Sequence, residues 1–557
     1  MSGGAAIAES LKVEGVRHVF GLIGTATMEI LDSLYGSDSI RYVGVRHEQN
    51  AGHMADAYAR VTRRAGVALA GQAGPGATNL VTGVAQAFMA FSPMVAITGL
   101  PISSQIDTGT FQELDQQAFF GPITKKTFTV RDPARIPEYL RDAFRIAESG
   151  RQGPVVLGIP GDVLGAHADI EIQSPETYRA IDSVAPSPAA IDRIVQLLST
   201  AKRPVIVAGA GVKWARADRE LAALAELIGV PVVASAGNPD VLPNDHELYA
   251  GQVGPRGNEV ATGLTRSADV ILAIGTRLGF NSTFYSSDNI SAAAAIIQVD
   301  VEPSAIGRHF PVRVGVVADA GETLRALLRA GESIKPTVDP GWVGDFKVAR
   351  GHLLEARAQV GEQNGMLVPV GVCNAVQRVL PRDTIITLDT GTCCMQSTDV
   401  LRTFSPGSFL APLDFGLVGF AHAAGIGAKA AAPDRPVVTI MGDGGFGMAM
   451  GEIGSAMAAG LPTVTVVMNN GSWGAEKAYQ RDFYGGRFIG AENANPAFDA
   501  IARAFGAHGV VARTAEEVSA AVAEGLESDV PTVVEVPVDP AALVSLRRDA
   551  FAHRVQS

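Results

Sequence analysis

Short runs of β-branched and aliphatic residues recur along the chain at residues 42–45, 67–70 and 94–98, again at 205–208, 232–234 and 270–274, and once more at 385–388, 437–441 and 464–468. Ala- and Leu-rich stretches lie between them. The pattern predicts strands alternating with helices, and strands joined through helices build parallel sheets. Two stretches break the rhythm: residues 173–190, with SPETYRAIDSVAPSPAA, and residues 333–345, with IKPTVDPGWVGD. Rich in Pro, Ser and Asp, they read as linkers. Three α/β units follow, at about residues 1–172, 188–332 and 350–557. Each is expected to be an open parallel sheet that binds its ligands at the carboxyl ends of its strands. No short-period repeat is visible.

A chain of 557 residues is too long for one core, which agrees with three units. Hydrophobic residues make up 47% and charged residues 18%, a balance that excludes an extended disordered chain. The net charge of -12, with no Lys/Arg run, argues against nucleic acid or an anionic membrane as partner. The three cysteines, Cys373, Cys393 and Cys394, supply neither a disulfide framework nor a metal spacing. No apolar segment reads as a signal peptide or a membrane span, so a soluble, cytoplasmic protein is expected.

The chemistry concentrates in residues 437–472, VVTIMGDGGFGMAMGEIGSAMAAGLPTVTVVMNNGS. A strand ends in Gly442-Asp443-Gly444-Gly445, a helical stretch runs to Ala459, Gly460 stops it, and a second strand ends in Asn469-Asn470. One crossover of this kind brings Asp443 and Asn470 to the same sheet edge. A carboxylate, an amide oxygen and a nearby carbonyl are hard ligands suited to Mg²⁺ or Ca²⁺, and glycines at a helix start let backbone N–H groups approach a diphosphate. Each fragment alone reads as an ordinary turn; their joint placement is what carries meaning. With 24 residues between Gly444 and Asn469, the arrangement resembles the GDG…NN signature of thiamine-diphosphate (ThDP) enzymes. The resemblance implies Asp443, Asn470 and the main-chain oxygen of Ser472 as Mg²⁺ ligands, with Gly442, Gly444 and Gly445 beside the cofactor. It also implies diphosphate contacts from a Gly391-Thr392-Cys393 turn, and Val418, within Leu417-Val418-Gly419-Phe420, beneath the thiazolium ring.

Near the start of the chain, a strand runs into Arg46-His47-Glu48-Gln49-Asn50, with the helical MADAYAR after it. On position alone Glu48 reads as a helix-start acid favoured by the macrodipole. RHEQNAGHMADAYAR, then GQAGPGATN, then FQELDQ resemble, in order, the pyrimidine-binding domain of the acetolactate-synthase-like branch. The resemblance implies Glu48 as the catalytic acid/base, since a carboxyl group on the pyrimidine ring nitrogen favours the imino tautomer that activates the cofactor. It also implies Gln112 near the reacting carbon, and the Gly-rich residues 74–79 as cleft wall. In that family the pyrimidine-binding and diphosphate-binding halves meet across subunits, which implies a homodimer or homotetramer.

In the middle unit Gly209-Ala210-Gly211 follows a strand, but the full G-x-G-x-x-G is absent, and a structural role is the default. Some relatives bind FAD or ADP there. Beyond the Asn pair, GSWGAEKAYQRDFYGGRFIG and the later SLRRDAF resemble the sulfoacetaldehyde acetyltransferase family. This implies conversion of sulfoacetaldehyde and phosphate into acetyl phosphate and sulfite through 2-acetyl-ThDP. A sulfonate and a phosphate both call for cations, and Lys477 and Arg481, with Arg487, Arg547 and Arg548 behind them, are the candidates. Each of these also reads as an ordinary surface charge. RHEQNAGH is closer to the acetolactate synthase pattern, so the alternative is a 2-oxoacid carboligase or decarboxylase.

Overall fold

The structure is a computed structural model that describes residues 1–179, 181–398 and 400–545, with the side chains of Glu332, Cys393 and Cys394 outside the description. Arg547 and Arg548 lie outside the described residues.

Three six-stranded parallel sheets follow one another along the chain. The first contains β1 (His18–Leu22), β2 (Arg41–Gly44), β3 (Gly66–Ala70), β4 (Met94–Leu100), β5 (Lys126–Thr129) and β6 (Pro154–Pro160), in the order β2-β1-β3-β4-β6-β5. The second contains β7 (Pro204–Ala208), β8 (Val232–Ala234), β9 (Tyr249–Gln252), β10 (Val270–Ile274), β11 (Ala295–Asp300) and β12 (Val314–Val317), in the order β12-β11-β10-β7-β8-β9. That is the dinucleotide-fold order read from the other edge. After a short antiparallel hairpin, β13 (Glu362–Gln363) and β14 (Met366–Leu367), comes the third sheet. Its strands are β15 (Ile385–Leu388), β16 (Phe409–Leu410), β17 (Val437–Gly442), β18 (Val464–Asn469), β19 (His508–Val511) and β20 (Thr532–Pro537), in the order β16-β15-β17-β18-β20-β19.

The nine apolar runs predicted as strands are all strands, displaced by no more than two residues at either end. The reason is burial on both faces: β3, β7, β10 and β15 are buried along their whole length, so they are built almost wholly from small, aliphatic and β-branched residues. Gly460 ends its helix at φ 55°, a left-handed conformation that costs glycine nothing. Several boundaries differ from the sequence reading, among them the stretch read as a linker to residue 345, which already enters a helix at Trp342. The helix expected from Met54 begins at Glu48, where the His47 side chain caps it by accepting from the Gln49 amide. The expected Gly391-Thr392-Cys393 turn is instead the start of a Thr392–Ser397 helix, with Gly391 as its cap residue.

The first and third domains pack helix on helix. A Cβ at Gly427, on the Ala421–Ala431 helix, would lie 2.2 Å from the Met54 carbonyl of the Glu48–Thr62 helix, so glycine is required for this approach. Across the same contact the fully buried Glu452 carboxylate accepts from the Arg46 amide at 3.0 Å and from Asn50 Nδ2 at 2.8 Å. The second domain holds the third through Asp240, which pairs with Lys213 at 2.8 Å and accepts from the Gly407 and Ser408 amides. Among the described residues no helix is long and apolar enough to cross a membrane.

Candidate active site

Strands β17 and β18 are neighbours in register, with Gly442 opposite Met468. Asp443 and Asn470 therefore leave the same sheet edge side by side. Asp443 opens the Asp443–Ala449 helix and is 1% exposed. Burial pushes its carboxyl above the usual range, and the amides of Asn495 and Asn493 pull it back by donating to Oδ2 at 2.6 and 3.2 Å. The Asn470 side-chain oxygen accepts from the Ser472 amide at 3.1 Å, which folds the loop into a compact turn. The Trp473 ring lies against Gly444, where a Cβ would come within 2.7 Å of it.

The next strand over, β15, delivers Asp389, Gly391 and Thr392 to that edge. Asp389 is fully buried and accepts from the Gly419 and Phe420 amides at 3.0 and 3.1 Å. Burial pushes its carboxyl up to about 6, against those hydrogen bonds. Its Oδ2 would meet a Cβ on Gly445 at 2.2 Å, and Val418 Cγ1 would meet the same atom at 3.3 Å. Val418 thus sits on the first turn of the Asp443–Ala449 helix, and Asp389 ties down the loop that carries it. A Cβ on Gly474 would touch both Asn470 Nδ2 and Thr392 Oγ1, at 2.9 and 3.2 Å, so the two loops converge.

Two buried hydroxyls of this cluster, Thr392 Oγ1 and Ser472 Oγ, have no hydrogen-bond partner. Gly391 and Gly442 open onto space, with no heavy atom within 4 Å of a Cβ at either position. Orphaned donors, bare backbone and two short helix starts around an open volume are what a diphosphate with its cation needs. No group of three or more His, Cys, Asp or Glu side chains among the described residues could hold a metal by itself. A cation here would take one carboxylate and neutral oxygens, completed by phosphate oxygen and water as is usual for Mg²⁺.

Glu48 belongs to a separate cluster. It is 2% exposed at the carboxyl edge of the first sheet, accepts from Asn79 Nδ2 at 3.0 Å, and its Oε1 would meet a Cβ on Gly76 at 3.1 Å. Residues 74–79 thus form one wall around this carboxyl. These residues are not a loop but the start of the Gly74–Met89 helix, and Gln112 reaches its first residue, since a Cβ on Gly74 would lie 2.6 Å from the Gln112 carbonyl. Its backbone is left-handed, at φ 61°, a strained choice for a residue with a side chain. Glu113 supports it by accepting from the Gly109 and Thr110 amides at 2.7 and 3.0 Å. Among the described residues, the side-chain hydrogen bonds of Glu48 and of Asp443 stay within their own domains.

The basic residues lie on and beyond the Gly474–Phe483 helix, which starts at the Asn470–Trp473 loop. Lys477 Nζ is 3.2 Å from Glu492 and stands over the Phe488 ring, while Arg481 pairs with the adjacent Asp482 and donates to the Leu543 carbonyl. Arg487 is exposed. Sequence reasoning did not single out Asp389, Trp473, Asn493 or Asn495; the AENANPAF stretch that carries the two asparagines reads as a plain loop.

In the second domain a Cβ on Gly209 would come within 2.4 Å of the Gly275 carbonyl, so the loops after β7 and β10 touch. They line a cavity of about 630 Å³ at the junction of the three domains, whose wall also carries the Arg151–Asp300 and Arg277–Asp414 ion pairs at 3.4 and 3.3 Å.

Comparison with known proteins agrees with this layout. Residues 1–119 match the N-terminal TPP binding domain of thiamine pyrophosphate enzymes, residues 191–327 their central domain and residues 389–536 their C-terminal TPP binding domain. The chain is 34% identical to sulfoacetaldehyde acetyltransferase of Castellaniella defragrans, over 100% of this chain and 96% of that protein. It is 35% identical to that of Rhodobacter capsulatus over 99% and 96%. It is 37% identical to the acetolactate synthase large subunit of Corynebacterium glutamicum over 98% and 88%. The cofactor of such enzymes is thiamine diphosphate with a divalent metal, usually Mg²⁺. With both cofactor-binding domains matched and the similarity running from end to end, this chain belongs to the thiamine diphosphate-dependent enzyme family.

Proposed function

We propose that this enzyme transfers an acetyl unit, converting sulfoacetaldehyde and phosphate into acetyl phosphate and sulfite. The observation that carries the reading is the helix that starts at the Asn470–Trp473 loop and carries Lys477 and Arg481, in a chain alignable throughout with sulfoacetaldehyde acetyltransferases. Asp443, Asn470 and the Ser472 carbonyl would hold the cation, and Gly391, Thr392 and Cys393, with Gly442, Gly444 and Gly445, would face the diphosphate. When bound, the cofactor supplies an acidic thiazolium carbon and an electron sink for the carbonyl carbon under attack. Glu48, walled in by Asn79 and Gly76, would hold or release a proton at the pyrimidine ring nitrogen, Gln112 would orient substrate, and Val418 would brace the ring system from below.

Lys477 is the first candidate for a substrate anion, with Arg481 beside it. Its present partner, Glu492, has a side chain that is 72% exposed, so the pair is weak and an incoming dianion can displace it. Lys477→Ala is expected to raise the Michaelis constant for one anion about tenfold, as a lost charge-assisted hydrogen bond of about 1.5–3 kcal/mol implies, and to leave ThDP binding unchanged. Unaltered constants for both sulfoacetaldehyde and phosphate would make Lys477 a solvated charge.

We read Glu48 and Asp443 as the two halves of one site that a second copy completes. Exposed apolar side chains at the first domain's loops, Ile23, Phe111 and Leu114, and in the third domain Phe415 on a loop and Met448 on the Asp443–Ala449 helix, support a homodimer in which each half-site is covered by the other subunit. A second reading, a 2-oxoacid carboligase or decarboxylase, is favoured by the 37% identity to an acetolactate synthase subunit. Incubation with ThDP, Mg²⁺, phosphate and sulfoacetaldehyde, in parallel with pyruvate, decides between them. Sulfite and acetyl phosphate support acetyl transfer; carbon dioxide and acetolactate without sulfite replace it with the carboligase.

A further inference from the structure

Between the Gly474–Phe483 and Phe498–Ala504 helices, the chain crosses the mouth of the metal-diphosphate crevice as a strap. The strap is bonded to both limbs of the cation site. On one side Asn495 Nδ2 spans Asp443 Oδ2 at 2.6 Å and Asn469 Oδ1 at 3.0 Å, which uses both of its hydrogens, and Asn493 Nδ2 reaches the same Asp443 oxygen at 3.2 Å. On the other side the Asn493 amide donates to the Gly471 carbonyl and the Trp473 amide to the Ala491 carbonyl, both at 2.8 Å. Ser472 and Glu492 form an antiparallel bridge between these bonds.

The two side-chain amides act on Asp443 Oδ2 alone. They fix the rotation of the carboxylate and leave Oδ1 without a side-chain donor among the described residues, while the backbone bonds hold the Asn470–Ser472 loop at a set distance from it. A ligating carboxylate that is not held pays ordering entropy each time it binds, and partners of this kind are commonly worth 10–100-fold in metal affinity. We propose that Asn493 and Asn495 are positioning residues for the cation site, setting Asp443 against the Asn470–Ser472 loop. The proposal rests on Asp443 being a ligand of the cation.

The test uses the full-length protein at saturating ThDP. Mg²⁺ is titrated into wild type, Asn495→Ala, Asn493→Ala and Asp443→Ala, and cofactor uptake is followed by quenching of tryptophan fluorescence. Melting of the cofactor-free protein is measured alongside. Asn495→Ala is expected to raise the Mg²⁺ midpoint by roughly 10–100-fold, and Asn493→Ala by less because its bond is longer. Turnover of Asn495→Ala should return toward the wild-type value once Mg²⁺ saturates, which loss of a merely structural contact would not produce. An unchanged midpoint in Asn495→Ala overturns the proposal. If Asn495→Ala melts early or does not fold, Asn493→Ala decides, since it leaves the bridge to Asn469 intact: a raised midpoint supports positioning and an unchanged one refutes it. A wild-type midpoint in Asp443→Ala would instead remove the metal assignment itself, whatever the asparagines show.

Discussion

The first and third domains have the same strand order. Numbered by appearance within each sheet, both run 2-1-3-4-6-5, and in both the order reverses between the first and third strands, where a crevice opens at the carboxyl ends. The loops make the difference. In the first domain they touch: a Cβ on Gly24 would lie 2.3 Å from the Gly71 carbonyl group, and one on Gly71 2.3 Å from the Gly24 nitrogen. In the third domain the floor is closed by Asp389 against Gly445, but the rim at Gly391 and Gly442 faces empty space. Topology thus provides two equivalent places for a ligand, and backbone contact seals one of them. The sealed crevice contributes only its flank, where Glu48 stands, and the open one carries the residues suited to charge.

Removing the charge-binding chemistry from the open crevice should have the largest effect. Asp443→Ala is expected to abolish Mg²⁺-dependent ThDP binding, because the diphosphate loses its cation; calorimetry with and without Mg²⁺ checks this. Glu48→Gln should still bind ThDP, yet lose turnover by about 10²–10⁴-fold, the usual worth of a general acid/base. Mixing the two inactive variants sharpens the comparison further. If each site joins the first domain of one subunit to the third domain of its partner, half of the randomly reassembled dimers are hybrids and each hybrid has one intact site, so about a quarter of wild-type activity returns. No recovery after subunit exchange would mean that both halves act within one chain.

Smaller changes can test sealing directly. Gly71→Ala forces backbone apart in the closed crevice and should destabilise the cofactor-free protein by about 1–3 kcal/mol, seen as a lower melting temperature. Gly442→Ala places its methyl in open space at an ordinary φ of -84°, so cofactor-free melting should not move, while ThDP affinity falls about tenfold as the methyl takes diphosphate room. If ThDP binds Gly442→Ala as tightly as wild type, the open rim is not where the diphosphate sits.

Most of the strand framework was legible because fully buried strands admit few residue types, and the GDG…NN pair was legible because two short signals fell at the ends of consecutive strands. The relation between the first and third domains was not, since strand order leaves no residue signature: the crossover that carries Glu48 and the one that carries Asp443 share no motif. Asn493 and Asn495 escaped for a different reason. An Asn-rich stretch before a proline has the composition of any loop, and only the folded chain reveals that both amides reach a buried carboxylate 50 and 52 residues upstream. The charge on Lys477 was legible, but its exposed partner Glu492 was not, because they meet through the return of the strap.

The contact between the compared domains gives the smallest expected effect. His53, on the helix that begins at Glu48, is fully buried, with its ring edge-on to Phe420 at 5.3 Å and neither ring nitrogen hydrogen-bonded. Burial, aided by the positive charges of His47 and Arg60, holds its pKa down to about 3 from the ordinary 6.5. The folded protein therefore keeps this imidazole neutral while the unfolded chain takes up a proton below pH 6.5. Its contribution to stability is fully present above pH 6.5 and is lost progressively as pH falls toward 3, by at most about 1.4 kcal/mol per pH unit. His422 of the third domain, held down to about 4 by burial, adds a parallel loss. His53→Leu removes one of these titrations along with two unpartnered polar atoms, so its melting temperature at pH 7 should equal or exceed that of wild type. Between pH 7 and pH 4.5 it should fall less steeply than wild type, with the His422 share remaining. Parallel curves for the two proteins across that range would show that His53 is protonated in the folded state, and that the contact between the domains admits the charge.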